Sequence, residues 1–176
     1  MFKVKTSPID EESFYHPDEI IVSKTDLKGR ITYANDVFCR VAEMSTKEAI
    51  GAPHNIIRHP DMPRSVFKLL CDTLDEKNEI FAYVKNMSMS GKYYWVLAHV
   101  TPSYDKDGKV IGYHSNRRCP TAKQIDIISP IYEVLCAEEK KHPNPKEGLA
   151  ASCALLEKTL NDQNVTYSEF VWSIGN

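Results

Sequence analysis

No stretch of this 176-residue sequence approaches the ~18 consecutive apolar residues that a membrane-spanning helix needs. The opening residues, MFKVKTSPIDEES, hold no sustained apolar core, so a secretory signal is not expected there. No Gly-rich phosphate loop of the G-x-G-x-x-G or P-loop kind is present. None of the five cysteines (Cys39, Cys71, Cys119, Cys136 and Cys153) sits in a C-x-x-C pair, and their number is odd. That spacing excludes the usual zinc and dithiol arrangements and predicts free, mostly buried thiols in a reducing compartment. His16, His54, His99, His114 and His142 show no metal-ligand spacing, and no Cys/His or Ser/His/Asp set can be assembled. The expectation is therefore a protein that is not an enzyme. Excess charge is also scarce: 22 basic against 24 acidic residues, a net charge of −2. This gives no footing for nucleic acid or for an anionic membrane surface. There is no internal repeat, no low-complexity region and no long heptad array.

What is present is ordinary for a globular chain, with 42% hydrophobic and 26% charged residues. The length suits one domain plus an appendage. DEIIVSKTD (18–26) and LKGRITYAN (27–35) are short apolar runs joined at Gly29, the pattern of a β-hairpin. From Asn35 the period changes. Val37, Phe38, Val41 and Met44 share a helical face, with Asn35 as N-cap. STKEAIG (45–51) predicts a second short helix with a Ser45/Glu48 capping box, and PRSVFKLLCDTLDEKN (63–78) a third that opens on Pro63. Three strand patterns follow, at 79–88, 91–105 and 108–118. The order β-β-α-α-α-β-β-β predicts an α+β fold, one five-stranded antiparallel sheet with helices packed on one face, shaped like a cup. Beyond Cys119 helical patterns return at 121–141, 149–162 and 166–174. Pro130 marks a kink or break, and HPNPKEG (142–148) reads as a turn. The expected division is an N-terminal segment 1–17, a domain at 18–120 and a C-terminal helical extension at 121–176.

Between the second and third predicted helices lies NIIRHPDMP (55–63), which sets Arg58, His59 and Asp61 among two prolines. Such a loop suits an anionic or polar ligand. Arg58 can pair with phosphate oxygens, His59 can hydrogen-bond a ring or phosphate, and Asp61 can hold either in position. The prolines lower the entropy cost of presenting them. A plainer reading stands beside this one: Asp61 caps the helix that starts at Pro63, while Arg58 and His59 face water. Apolar walls for a ligand are available from Phe38, Phe67 and Leu70 on the helices and from Tyr83, Tyr94, Trp95 and Tyr113 on the strands. The plainer role for the aromatic strand residues is core packing.

YAND…F (33–38), GAPHNIIRHPDMP (51–63), VKN (84–86), YYWV (93–96), TP (101–102) and GYHSNRR (112–118), taken together, resemble the PAS domain of bacterial aerotaxis, or energy-taxis, receptors. The resemblance covers about residues 18 to 140. It implies the PAS fold and a non-covalently bound FAD whose redox state is reported to a chemotaxis signalling partner. Carried onto this sequence, Arg58, His59 and Asp61 match the loop that supports FAD, Asn35 and Asn86 match asparagines near the cofactor, and Trp95 matches an aromatic of the long strand. Phe67 completes the expected wall. Cys71 stands where some members carry a tryptophan, which removes a flat stacking surface. The thiol-adduct motif NCRFL of photoactive flavin domains is absent.

The resulting expectation is a redox sensor located in the cytoplasm, or peripheral to the inner membrane through its partner. It has no membrane insertion of its own and no nucleic-acid ligand. The partner would be a separately encoded, membrane-bound chemotaxis transducer, and a homodimer is the other association considered. Two alternatives stand beside FAD: a gas sensor holding haem b through a histidine, and a cofactor-free PAS interaction module.

Overall fold

The computed structural model describes residues 6–174. Five strands form one antiparallel sheet: β1 (Ile21–Thr25), β2 (Ile31–Ala34), β3 (Ile80–Met87), β4 (Tyr93–Tyr104) and β5 (Val110–Arg118), in the order β2-β1-β5-β4-β3. The β1–β2 connection turns at Gly29, whose φ of +71° is a conformation that glycine adopts without a Cβ clash. Between β2 and β3 lie α1 (Asp36–Ala42), α2 (Thr46–Ala49), a single 3₁₀ turn (His54–Ile57) and α3 (Arg64–Asp75). The 3₁₀ turn falls inside the stretch expected to be loop. Both predicted N-terminal caps form: the Asn35 side chain accepts from Phe38 N–H, and Ser45 and Glu48 make a reciprocal capping box.

Register fixes which side chains see which side of the sheet. Val84 pairs with Val96, Ala98 with Ala82 and Arg117, and Val100 with Ser115. Directly paired residues share a face. One face therefore carries the even-numbered residues of β3 and β4 and the odd-numbered residues of β1 and β5. The helices between β2 and β3 cover that face, with Phe38, Val41, Ile57 and Val66 buried beneath them.

The C-terminal helices are α4 (Ala122–Lys140), α5 (Pro145–Asp162) and α6 (Tyr167–Ser173). They close the other side of the β3–β4 end. The Tyr132 hydroxyl donates to the Tyr83 carbonyl at 2.6 Å, its ring lies 5.9 Å from Trp95, and Trp172 meets Phe81 at 4.8 Å. β3 is an edge strand, and the main-chain groups of its Lys85 are covered. His59 N–H donates to the Lys85 carbonyl, and Met62 Sδ sits 3.4 Å from Lys85 N. Covering an edge this way blocks unwanted strand pairing.

Two expectations about these helices change. Pro130 lies inside α4, which continues through it as a 19-residue helix. The helix loses one backbone bond there, and the packing of Ile128, Tyr132 and Leu135 into the core offsets that loss. The predicted turn at 142–148 is shorter than expected. Pro145 takes the first turn of α5, where its missing N–H costs nothing, and Asn144 caps it. At the other end of the chain, residues 9–13 run along the start of β4, with Ile9 N–H to Gly91 O at 3.0 Å and Tyr93 N–H to Glu11 O at 3.0 Å. Of the cysteines, only Cys39 and Cys136 are buried. Cys119 and Cys153 are partly covered and Cys71 is exposed, which corrects the expectation of mostly buried thiols.

Candidate ligand-binding site

The cup between the sheet and α3 encloses a cavity of about 490 Å³, within the range of small-molecule sites. Its wall is built from three parts of the chain. The sheet gives Ser23, Thr25, Val84, Asn86, Ala98, Val100, Tyr113, Ser115 and Arg117, and α3 gives Phe67, Leu70, Cys71, Leu74 and Asp75. Pro53, His54, Asn55 and Arg58 come from the segment around the 3₁₀ turn, with Leu27, Lys28 and Gly29 of the β1–β2 turn at the rim. The wall is mainly apolar, and its polar groups gather at two places.

The first is the mouth. Arg58 lies across the ring of Phe67, its guanidinium carbon 4.2 Å from the ring centre, and one Nη donates to the Met62 carbonyl at 3.0 Å. Burial pulls its pKa below the ordinary value. His59 does not line the cavity. It is buried behind Arg58, and its Nδ1 accepts from Asp61 N–H at 3.1 Å. Asp61 is on the surface, with its carboxylate 3.7 Å from His59 Nδ1 and 3.9 Å from Lys85 Nζ. Asp61 does not cap α3. Glu139 of α4 does, accepting from Arg64 N–H at 2.7 Å and Ser65 N–H at 3.3 Å. Within the motif, then, Arg58 faces the cavity, while His59 and Asp61 hold the loop against β3.

The second is the floor, which the sequence reading did not single out. Arg117 is buried, and one Nη reaches both Ser23 Oγ at 2.8 Å and His54 Nε2 at 2.7 Å. Ser23 Oγ and His54 Nε2 are themselves 3.1 Å apart. The guanidinium carbon lies 5.8 Å from the ring centre of Phe38. Burial and the Arg117 charge push His54 down to about 3, so its ring is neutral and accepts from Arg117. Burial also pushes Arg117 down to about 10, which leaves it fully charged at neutral pH. Three buried polar atoms on the wall have no partner among the described residues: Arg117 Nη1, Asn86 Nδ2 and Ser115 Oγ. Orphaned buried donors are rare in folded proteins and each calls for a partner. Here all three belong to residues that line one cavity.

Of the residues proposed from sequence, Arg58, Phe67, Cys71 and Asn86 line this cavity, and Asn35, His59, Asp61 and Trp95 do not. Asn35 is saturated by the backbone: its oxygen accepts from Phe38 N–H and Val22 N–H, and its amide donates to the Ile20 carbonyl. Trp95 points to the opposite face of the sheet, because it pairs with Lys85 in the odd register. The same parity turns Tyr83 away, whereas Tyr113 faces in. Cys71 sits at the mouth, and burial together with Asp75 raises its pKa, so it is a thiol rather than a thiolate. Arg117 was within reach of sequence reasoning. Strand alternation in GYHSNRR puts Tyr113, Ser115 and Arg117 on the same side.

This architecture is that of a PAS domain, and residues 31–117 match the family model described as the PAS fold. The chain is 39% identical over 120 residues to the aerotaxis receptor of Escherichia coli (strain K12), which covers 68% of this chain and 24% of that receptor. It is 29% identical over 80 residues to phototropin-1A of Oryza sativa subsp. japonica, covering 46% of this chain and 9% of that protein. Among solved structures, a PAS domain from Colwellia psychrerythraea superposes with a TM-score of 0.53 at 20% identity, over 58% of this chain and 86% of that one. The chain thus spans about a quarter or less of the curated relatives named here. It carries a PAS domain related to that of the aerotaxis receptor. Among the described residues no helix is long and apolar enough to cross a membrane.

Proposed function

We propose that the protein is a redox or energy-taxis sensor that binds FAD non-covalently in the cavity between α3 and the sheet and relays its redox state to a chemotaxis transducer. The observation that carries this reading is the set of three orphaned polar atoms, Arg117 Nη1, Asn86 Nδ2 and Ser115 Oγ, on an otherwise apolar wall. Two of them are donors only, and they suit a flat ring whose edge offers carbonyl acceptors. Phe67, Leu70, Leu74 and Val84 supply the apolar faces that such a ring needs. Arg58, at the mouth, is a cation available to an anionic tail, with Lys28 at the rim a second. A flavin would supply a reversible two-electron couple, with the protein contributing position, charge and a dry enclosure.

Haem fits less well. The histidine on the wall, His54, has Nε2 committed to Arg117 and Ser23, so it is poorly placed to serve as an axial ligand. The likeness to the aerotaxis receptor supports a signalling role over an enzymatic one. In this reading the protein works in the cytoplasm or beside the inner membrane through a membrane-bound transducer, alone or as a homodimer. The visible spectrum of freshly purified protein tests the cofactor. Two flavin bands that dithionite bleaches are expected. A single Soret band would establish haem instead, and a colourless protein that takes up no added flavin would leave only an interaction module. Co-purification with the transducer tests the relay.

A further inference from the structure

The buried floor of the cavity carries a charge that no group among the described residues balances. Arg117 has 4% of its surface exposed, and its hydrogen-bond partners, Ser23 Oγ and His54 Nε2, are both neutral. The groups that influence its charge are His54 on the 3₁₀ turn, Tyr94 on β4 and Tyr15 of the N-terminal segment. The hydroxyls of both tyrosines are held protonated by burial. Asp75, the carboxylate on the cavity wall, belongs to the mouth and makes no ion pair with Arg117. A lone buried guanidinium is costly to the fold unless something compensates it. Its unpartnered Nη1 marks where compensation can come from, which is the cavity.

We propose that Arg117 selects the charge state of the ligand, so that the site binds a ring bearing a negative charge more tightly than the same ring when neutral. This rests on the flavin reading. Oxidised flavin has a neutral ring. Two-electron reduction with one proton leaves that ring with a charge of −1, and reduction with two protons leaves it neutral. Beside Arg117 the first outcome is favoured: two electrons enter, one proton is taken from solvent, and the second proton stays in solution. In the test below dithionite is the electron donor and is oxidised to sulfite. Ser23 and His54 act as positioning residues. By taking one Nη of Arg117, they leave the other directed at the ligand.

The test uses full-length, flavin-loaded protein and reads the midpoint potential by dithionite titration at several pH values from weakly acidic to neutral. In that range a free reduced ring takes up its second proton. One proton per two electrons means a tenfold change in the equilibrium per pH unit, about 30 mV. The wild type is expected to keep that slope throughout. A slope twice as steep at the acidic end overturns the proposal, and this measurement needs no variant. Arg117→Gln is expected to lower the ratio of affinities for reduced and oxidised flavin about tenfold or more, a fall of about 30 mV or more in potential. Arg117→Lys, which keeps the charge, is expected to restore most of it. A flavin-loaded Arg117→Gln protein with an unchanged potential overturns this inference alone, whereas wild-type protein that takes up no flavin overturns it together with the function proposed above.

Discussion

The two arginines of the cavity differ in how far the protein satisfies them. Arg58, at the mouth, stacks on Phe67 and donates to the Met62 carbonyl, so its position is held by the fold whether or not a ligand is present. Arg117, on the floor, is more deeply buried, yet among the described residues one of its nitrogens has no partner and no carboxylate balances it. Arg58 behaves as part of the structure that also faces a ligand. Arg117 behaves as a group placed for a ligand at some cost to the empty fold. Sites that carry function often break the rule of full polar satisfaction in this way.

The largest expected effect separates the two regions by pH. His54 is pushed down to about 3 in the folded protein, against about 6.5 when unfolded. The folded state therefore favours the neutral ring. That contribution is fully present above about pH 6.5 and is lost as pH falls towards 3, at up to about 1.4 kcal/mol per unit. Between pH 7 and 4.5 the wild type should lose roughly 2–3 kcal/mol from this group alone. Urea unfolding of ligand-free protein at the two pH values measures it. His54→Gln keeps an acceptor for Arg117 without a titrating ring, and it should flatten the loss by that amount. An equally steep loss in the variant would place the acid sensitivity elsewhere.

Removing each arginine in turn sharpens the comparison. Arg58→Ala deletes a charge-assisted hydrogen bond and a stacked cation, and should cost about 2 kcal/mol of stability in ligand-free protein. Arg117→Met should behave in the opposite way. Ser23 Oγ and His54 Nε2 stand 3.1 Å apart and can bond to each other once the guanidinium is gone. The variant also sheds an unbalanced buried charge. Its ligand-free form should be as stable as the wild type or more stable by about 1 kcal/mol, while flavin binding weakens. Chemical denaturation of both variants, run beside the wild type, decides the matter. If Arg117→Met lost more stability than Arg58→Ala, the contrast between the two would be reversed.

Much of this fold could be read in the sequence because its signals are local. Alternation in the strands after residue 79, the Asn35 and Ser45 caps and the turn at Gly29 all act within a few residues. The resemblance of the PHNIIRHPDMP stretch then supplied the expected fold and cofactor. What could not be read was set by register and by distant partners. YYW gives three consecutive aromatics, but only Tyr94 faces inward, because β4 pairs with β3 in the register that sets Trp95 opposite Lys85. Asp61 looks like a cap for α3, yet the cap is Glu139, 75 residues from Arg64 along the chain. The floor joins Ser23, His54 and Arg117 from three separate segments. No spacing rule links them, although parity along β5 placed Arg117 beside Ser115 and Tyr113.

The smallest expected effect concerns an exposed residue of the motif, Asp61. The Asp61 carboxylate is 55% exposed and lies 3.7 Å from His59 Nδ1 and 3.9 Å from Lys85 Nζ, too far for a hydrogen bond to either. Exposed pairs of this kind contribute ~0–1 kcal/mol. Asp61→Asn should therefore change the unfolding free energy by no more than about 0.5 kcal/mol, because the contacts that fix the loop are the main-chain groups of Asp61: its N–H to His59 Nδ1 and its carbonyl to Cys136 Sγ. Asp61→Pro would remove that N–H and should cost clearly more, on the order of 1–2 kcal/mol. Thermal unfolding of the two variants in parallel checks the order. If the asparagine variant proved as damaging as the proline one, the charge of Asp61 rather than its backbone would hold the loop, and the mouth, like the floor, would depend on a charge.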